Sequence, residues 1–235
     1  MPVYLINKEN YFPPVSKSDA NGLLAVGGDL NPLRLLLAYK SGIFPWFSEG
    51  DPVLWWSPDP RCVLYPEKVK ISRSMQNILN RGELEVRYDT AFSQVIRKCR
   101  NMVRNEEGTW ITLDIIQAYE TLHELGFAHS VEVYREGKLC GGLYGVSLGS
   151  AFFGESMFSE YPNASKVALI QLSKDMKKAG MKLIDCQLYT SHLASLGAVE
   201  IGRKIFIKQL EDCLTGGTFK GNWTDSAQWP MYQPC

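Results

Sequence analysis

Residues 154–187 constrain the fold more than any other stretch, because they predict a strand, a loop, a helix and a second strand in succession. Leu169, Leu172 and Met176 recur at i, i+3 and i+7, which is the spacing of one helix face. Gly180 ends this helix, and the apolar run MKLID that follows is typical of a strand buried in a sheet. The stretch therefore predicts an apolar helix packed against a sheet.

Asp185 and Gln187 stand at the end of the second of these strands. Because strand side chains alternate between two faces, we expect both to point to the same side. A carboxylate and an amide facing an apolar helix would polarise a substrate inside an apolar pocket. The same pair would equally serve to cap the turn that follows the strand, so the residues alone leave both interpretations open.

The composition indicates a cytoplasmic protein without a metal or a membrane span. A chain of 235 residues is long enough for one large domain or two small ones. Its six cysteines form no CxxC pair and no signal sequence precedes them, which favours reduced thiols. The three histidines lack the spacing of metal ligands, and the apolar runs are far shorter than the roughly 20 residues of a membrane helix.

The charge is distributed unevenly along the chain. Residues 61–104 carry ten Lys and Arg against four acids, a net charge of +6, although the whole chain has a formal net charge of zero. A local basic zone on an otherwise acidic protein is typical of a protein that contacts phosphates in one place. An ordinary solvated helix surface would have the same composition, so charge alone does not decide between the two.

Three tryptophans occur in a segment that prolines prevent from forming a long helix or a central strand. Trp46, Trp55 and Trp56 lie within the segment GIFPWFSEGDPVLWWSPDPRCVL. They would form either a small core or a rigid platform for a flat ligand. Indole rings stack on nucleic-acid bases with about 1–3 kcal/mol each, so a platform for a base is one of the two hypotheses.

Capping signals predict the helices of the first half. Asn31 with Pro32 begins one helix that ends before Gly42, and Ser72 begins another that Gly82 closes. Helices are also expected from Thr90 to residue 104 and after Trp110.

From Ser130 onward the pattern predicts three consecutive antiparallel strands, then the helix and strand described first, a short helix at 190–198 and a last strand at 203–210. This order is an α+β layout with helices on a mostly antiparallel sheet. It is similar to the acyltransferase superfamily that includes the acetyl-CoA-dependent N-acetyltransferases. The loop before the central helix, SEYPNASK, contains no glycine that would let its backbone approach a pyrophosphate, which argues against coenzyme A.

Several motifs together resemble one family, the leucyl/phenylalanyl-tRNA–protein transferases. They occur in the order FPWF, WWSPDPR, GTWIT, GESMFS, NASK, LIDCQ and SLGA, and the resemblance covers about residues 21–210. It implies a small N-terminal domain, 1–61, and an acyltransferase-like (GNAT-like) catalytic domain, 62–235. It also implies transfer of Leu or Phe, and Met less readily, from aminoacyl-tRNA to the N-terminal Arg or Lys of acceptor proteins, which marks them for degradation. No cofactor and a monomeric state are expected.

The resemblance also assigns roles to residues. It implies that Asp185 and Gln187 form the catalytic pair, in which Asp185 either takes the proton of the attacking amine or orients Gln187. Trp46 and Trp110 would flank the terminal adenosine of the tRNA. The residues expected to line the aminoacyl pocket are Glu155, Met157, Leu143, Phe152, Leu169, Leu172 and Met176.

Contacts with the two macromolecular substrates are expected from charged residues. Lys70, Arg73 and Arg81 would contact the phosphates of the acceptor stem. Glu155 and Glu160 would serve to recognise the basic N-terminal residue of the acceptor protein. A coenzyme A-dependent N-acyltransferase and an RNA-binding module without catalytic activity are the alternative functions.

Overall fold

The computed structural model describes residues 3–7, 9–102, 109–224 and 231–232. Its first part contains a four-stranded sheet in the order β1–β2–β4–β3, in which β1 and β2 are parallel and the other pairs are antiparallel. The strands and the one α-helix of this part are β1 (Tyr4–Ile6), β2 (Leu23–Gly27), α1 (Pro32–Lys40), β3 (Phe44–Pro45) and β4 (Leu54–Trp56).

A seven-stranded sheet forms the larger part of the protein. Its strands are β5 (Arg61–Leu64), β6 (Glu85–Tyr88), β7 (Ala128–Arg135), β8 (Lys138–Leu148), β9 (Ala151–Ser159), β10 (Leu183–Gln187) and β11 (Val199–Ile201). They lie in the order β11–β5–β10–β9–β8–β7–β6. All neighbours are antiparallel except β9 and β10. That pair is parallel because a helix crosses between the two strands.

The helices flank this sheet, which confirms the predicted α+β class with a small N-terminal sheet. They are α2 (Arg73–Arg81), α3 (Phe92–Asn101), α4 (Leu113–Glu124), α5 (Ala164–Lys178), α6 (Ser191–Ser195) and α7 (Arg203–Leu214). β12 (Thr218–Phe219) and β13 (Met231–Tyr232) pair as a separate two-stranded antiparallel sheet. Within the described ranges no helix has both the length and the apolar composition needed to cross a membrane.

The predicted caps determine where the first helices begin and end. The Asn31 side chain accepts a hydrogen bond from the backbone N–H of Arg34, and Ser72 does the same for Met75. Gly82 closes α2 with φ +66°, a left-handed conformation that glycine adopts without a steric cost.

The strand predicted at 203–210 is wrong, because this segment is the first part of α7. Phe206, Leu210 and Cys213 are its buried residues, and their spacing is that of a helix face. Ile205, which an alternating pattern would have placed on a buried strand face, is 55% exposed. The strand at this edge of the seven-stranded sheet is β11, which lies just before this helix.

The seven-stranded sheet carries a buried apolar cluster on each face. One cluster joins side chains of α1, α3, α4 and α7 with the N-terminal sheet, so that Leu24 and Trp55 belong to the same core as Phe153. The other contains most of the buried side chains of α5, together with Cys62 of β5 and Ile184 of β10. Strand alternation therefore assigns successive residues of β5 and β10 to different cores.

Candidate active site

A cavity of about 710 Å³ lies between the β3–β4 region, the strands β8 to β10 and the helices α5 and α6. Eight of the residues expected to bind substrate line it, namely Trp46, Trp110, Leu143, Phe152, Glu155, Met157, Leu169 and Gln187. Trp56 also lines it, as do residues that the sequence did not single out, including Phe44, Phe47 and Ile184. One cavity therefore brings together residues that are far apart in the chain.

The deep part of the cavity is apolar. Leu143, Phe152 and Leu169 are almost completely buried around it, and Met157 is partly exposed to it. Leu172 and Met176 were expected to line the same space, but they do not: both are fully buried in the core further along α5. Their position on the same helix face is as predicted, but the cavity reaches only the N-terminal half of that helix.

Glu155 is the buried carboxylate at the centre of the site, and three side chains donate hydrogen bonds to it. Its Oε1 accepts from Tyr39 and from Nε2 of Gln187, both at 2.8 Å, and its Oε2 accepts from Tyr119 at 3.0 Å. Burial raises the pKa of Glu155 to about 7, although these three hydrogen bonds act in the opposite direction.

The two tyrosines also contact each other through their hydroxyl oxygens. Tyr39, Tyr119 and Glu155 thus form a ring of three oxygen–oxygen contacts, for which the two hydroxyl groups supply only two protons. When Glu155 is ionised, both hydroxyls donate to it; when it is protonated, its Oε2 donates to the Tyr119 hydroxyl, which then donates to Tyr39 and completes the ring. Hydrogen-bond counting therefore agrees with the raised pKa of Glu155: the neutral carboxyl satisfies every contact, whereas the carboxylate leaves the two hydroxyl oxygens facing each other without a proton.

Asp185 lies outside the cavity and is fully buried. Both of its carboxylate oxygens accept hydrogen bonds from Arg61, at 2.8 and 2.7 Å. The Arg61 guanidinium lies 4.7 Å from the ring centres of both Phe44 and Phe206. The aspartate therefore has a bidentate ion pair within an aromatic environment and does not face a substrate.

A bulge interrupts the regular strand between Asp185 and Gln187, but the partners of both side chains contact the same core. The register between β5 and β10 shifts at this point, and Gln187 has φ +62°. Its backbone N–H donates to Oδ1 of Asp185 at 2.9 Å, while its side chain turns into the cavity and contacts Glu155. Asp185 thus holds the backbone of the residue whose side chain contacts Glu155.

The three tryptophans divide between the two hypotheses made for them. Trp55 is fully buried in the core, where its ring packs edge-on against Phe12. Trp46 is 41% exposed and lines the cavity. Trp56 supports it, with ring centres 5.6 Å apart and its Nε1 donating to the carbonyl oxygen of Trp46 at 2.7 Å. Trp110 lines the same cavity from the segment before α4.

Ion pairs reduce the number of basic residues between positions 61 and 104 that are free to contact phosphates. Five of its members pair with acids, namely Arg61, Arg87, Arg97, Lys98 and Arg100. Residue 104 lies outside the described part of the chain. Lys70, Arg73 and Arg81 are exposed around the start and end of α2, outside the cavity, and have no ion pair among the described residues. Glu160, expected to bind an acceptor, pairs with Lys98 at 2.6 Å.

The first turn of α5 offers few free donors to an anion. The N–H of Ala164 donates to the carbonyl oxygen of Tyr161, and that of Ser165 to Oγ of Ser159. The N–H of Val167 donates to the carbonyl oxygen of Asn163. This agrees with the absence of glycine from the loop and weakens the coenzyme A alternative. Among the described residues, no group of three His, Cys, Asp or Glu side chains is arranged to hold a metal ion.

Sequence reasoning missed Tyr39, Tyr119 and Arg61 as parts of the site. Both tyrosines lie on apolar helices at buried positions, and a buried hydroxyl needs a partner, which is the signal that points to them. Arg61 begins a strand whose residues are all buried, and a buried arginine requires a carboxylate.

The fold and the cavity define an α+β protein that has a mostly antiparallel sheet and an apolar pocket beside the parallel pair β9 and β10. Two sequence-family models match the chain: "Leucyl/phenylalanyl-tRNA protein transferase" over residues 63–211 and the N-terminal domain of the same family over residues 28–59. The chain belongs to the leucyl/phenylalanyl-tRNA–protein transferase family.

Individual relatives match over nearly their whole length. The leucyl/phenylalanyl-tRNA–protein transferase of Myxococcus xanthus is 54% identical over 97% of this chain and 98% of its own. The protein of the same name from Syntrophus aciditrophicus is 55% identical over 95% of this chain and 94% of its own. That of Nitrosospira multiformis is 54% identical over 88% and 90%.

Proposed function

We propose that this protein transfers Leu or Phe, and Met less readily, from aminoacyl-tRNA to the N-terminal Arg or Lys of acceptor proteins. One observation carries the proposal: a single cavity combines an apolar deep part, an indole platform at Trp46 and Trp110, and the Glu155–Gln187 pair. An aminoacyl-adenosine has an apolar side chain, a flat base and a polar ester between them. Family membership supports the same function.

The reaction requires that the acceptor amine attack the ester carbonyl that joins the amino acid to the terminal ribose. The C–N bond forms, the ester C–O bond breaks, and the proton lost by the amine ends on the departing ribose oxygen. Because Nε2 of Gln187 donates to Glu155, its Oε1 is the atom that accepts a hydrogen bond from the attacking amine. Gln187 thus aims the amine at an ester that is already activated.

We infer that Asp185 orients Gln187 and does not take the proton. Arg61 engages both oxygens of the carboxylate, and Asp185 does not line the cavity. A general base must reach the proton directly or through one water molecule, so this position disfavours that role. The contact between Asp185 and the backbone N–H of Gln187 supports a positioning role.

The apolar part of the cavity would select the transferred amino acid by shape. Leu, Phe and Met are unbranched at Cβ, whereas Ile and Val are restricted at χ1 and adapt less readily to a narrow entry. Met157 is a flexible side chain that accommodates different apolar groups. Polar side chains would lose their hydration without gaining partners.

The remaining parts of the proposal concern the macromolecules. Lys70, Arg73 and Arg81 would contact acceptor-stem phosphates, since they are exposed and free of ion pairs with the described residues. We further propose a domain boundary near residue 61, a cytoplasmic monomer without a cofactor, and a role in marking acceptor proteins for degradation.

A transfer assay with labelled Leu-, Phe- and Ile-tRNA on peptides that begin with Arg or Ala tests the proposal. We expect transfer of Leu and Phe to the Arg peptide, little transfer of Ile and none to the Ala peptide. Equal transfer to both peptides would contradict the acceptor specificity. Calorimetry with acetyl-CoA tests the alternative enzyme, for which micromolar binding is required, and binding of tRNA without any transfer would indicate an RNA-binding module.

A further inference from the structure

Two cysteines lie side by side at the bulge that carries Gln187. In the register between the antiparallel strands β5 and β10, Cys62 is opposite Gln187, and the bulge brings Cys186 to the same position. The Cys62 and Cys186 thiols are hydrogen-bonded to each other. The Cys186 sulfur also lies 3.9 Å from the carbonyl oxygen of Ile184, which is a longer contact.

The two thiols differ in their access to the cavity. Cys62 is 1% exposed and packs in the apolar cluster on the α5 side of the sheet. Cys186 packs against the same cluster, is partly exposed and lines the cavity. A small molecule that enters the cavity therefore meets Cys186, with Cys62 directly behind it.

The pKa values of the two thiols shift in opposite directions. The hydrogen bond between the two thiols lowers the pKa of Cys62 and raises that of Cys186. Cys62 is therefore the thiol that ionises first, which suits it to displace a leaving group from the Cys186 sulfur. A cross-strand disulfide requires neighbouring Cβ atoms, which adjacent strand positions provide.

We propose that Cys62 and Cys186 form a dithiol modification site that a small peroxide oxidises to a disulfide. The peroxide transfers one oxygen to the Cys186 sulfur, which gives a sulfenic acid and water. The Cys62 sulfur then displaces that hydroxyl, so the sulfur–sulfur bond forms, a second water is released and both thiol protons are consumed. Two thiols are oxidised and one peroxide is reduced. A dithiol reductant reverses the modification.

The disulfide would act on the transfer reaction through Gln187. It joins β5 to the bulge of β10 next to the residue whose amide contacts Glu155. Shortening the distance between the two sulfurs to that of a covalent bond moves the backbone of residue 186 and therefore the amide of residue 187. This consequence rests on the proposed transfer function, whereas formation of the disulfide does not.

Treatment of the full-length protein with hydrogen peroxide, followed by thiol counting and peptide mapping, tests the modification. We expect the loss of two of the six thiols, a mass decrease of about 2 Da and a linked peptide that contains Cys62 and Cys186. Transfer of Leu should fall at least about tenfold in step with the linked peptide and return with dithiothreitol. Peroxide treatment that yields no such linked peptide overturns the proposal.

Variants separate the disulfide from other oxidation. Cys62→Ser should retain basal transfer and lose the reversible inhibition, because Cys186 then has no partner thiol and proceeds to the sulfinic acid. Cys62→Ala serves if the serine variant folds poorly, and Cys140→Ser, which removes a thiol outside the cavity lining, should behave as the wild type. Reversible inhibition of equal size in the Cys62 variants would refute the proposal. If the wild type transfers nothing, the peptide map still decides whether the disulfide forms.

Discussion

Glu155→Gln should stabilise the protein at alkaline pH and leave its stability at acid pH close to that of the wild type. Burial raises the pKa of Glu155 from 4.5 to about 7, so the folded protein keeps a proton that the unfolded chain has lost. The stability due to this proton is fully present below about pH 4.5 and is lost as the pH rises through about 7. The free energy of unfolding changes by about 1.4 kcal/mol per pH unit, so it falls by about 3 kcal/mol over this interval.

The substitution isolates the charge because glutamine reproduces the hydrogen bonds of the neutral acid. A protonated Glu155 donates one hydrogen bond and accepts others within its ring with Tyr39 and Tyr119. A glutamine amide also has a donor and an acceptor, but it cannot ionise. The difference in unfolding free energy between the two proteins therefore reports the ionisation of Glu155, since every other titrating group is common to both.

Urea unfolding of both proteins between pH 5 and pH 8 measures this difference. We expect the unfolding free energy of the variant, relative to that of the wild type, to increase across this range by about 3 kcal/mol in total. Glu160→Gln is the matched control, because Glu160 is about half exposed and its ion pair with Lys98 contributes no more than about 1 kcal/mol. A difference for Glu155→Gln that does not change with pH would show that the carboxyl is ionised throughout and would refute the proton count.

Three further predictions concern the transfer reaction. Asp185→Asn should keep an unchanged pH profile of kcat with a loss of about tenfold, whereas a loss above about 10³ with a lost acidic limb would identify a general base. Trp46→Ala should raise the KM for Leu-tRNA by roughly 10-fold or more with kcat little changed. Trp46→Phe should restore most of the lost affinity, because phenylalanine also stacks. An unchanged KM in the alanine variant would exclude stacking. Arg73→Gln and Arg81→Gln should each lower the slope of log affinity for tRNA against log salt concentration by about one. Arg87→Gln removes an arginine that is already paired and should leave the slope unchanged. Equal slopes in all three variants would show that α2 is not part of the tRNA site.

Most of the fold could be predicted from local signals in the sequence. Asn31, Ser72 and Gly82 act on backbone groups within four residues, so their effect is visible in the sequence itself. The three strands after Ser130 were predictable because their pattern changes to period two. The segment of α7 was mistaken for a strand because the short apolar run of Ile205, Phe206 and Ile207 lies between lysines, and only packing of Phe206 decides which period applies.

The site was less predictable, because distant contacts determine its geometry. The bulge between Asp185 and Gln187 depends on Arg61, which is 124 positions away from Asp185. Tyr39 and Glu155 are 116 positions apart and meet only in the folded chain. Spacing along a strand assumes a regular pleat, and no local signal reports the buried ion pair that interrupts it here.

The contacts at the site also explain why the N-terminal sheet and the larger sheet depend on each other. Tyr39 of α1 completes the hydrogen bonds of Glu155, and Phe44 of β3 covers the guanidinium that neutralises Asp185. Arg61, whose bidentate ion pair fixes the bulge, is the first residue of the strand that follows the N-terminal sheet. Removing residues 1–61 would take Tyr39 away from Glu155 and would leave the buried Asp185 without its ion pair, and one unpaired buried charge costs about 3–5 kcal/mol. The sequence boundary near residue 61 is therefore a boundary between sheets but not between independent units of stability, because the groups that hold the site in place come from both sides of it.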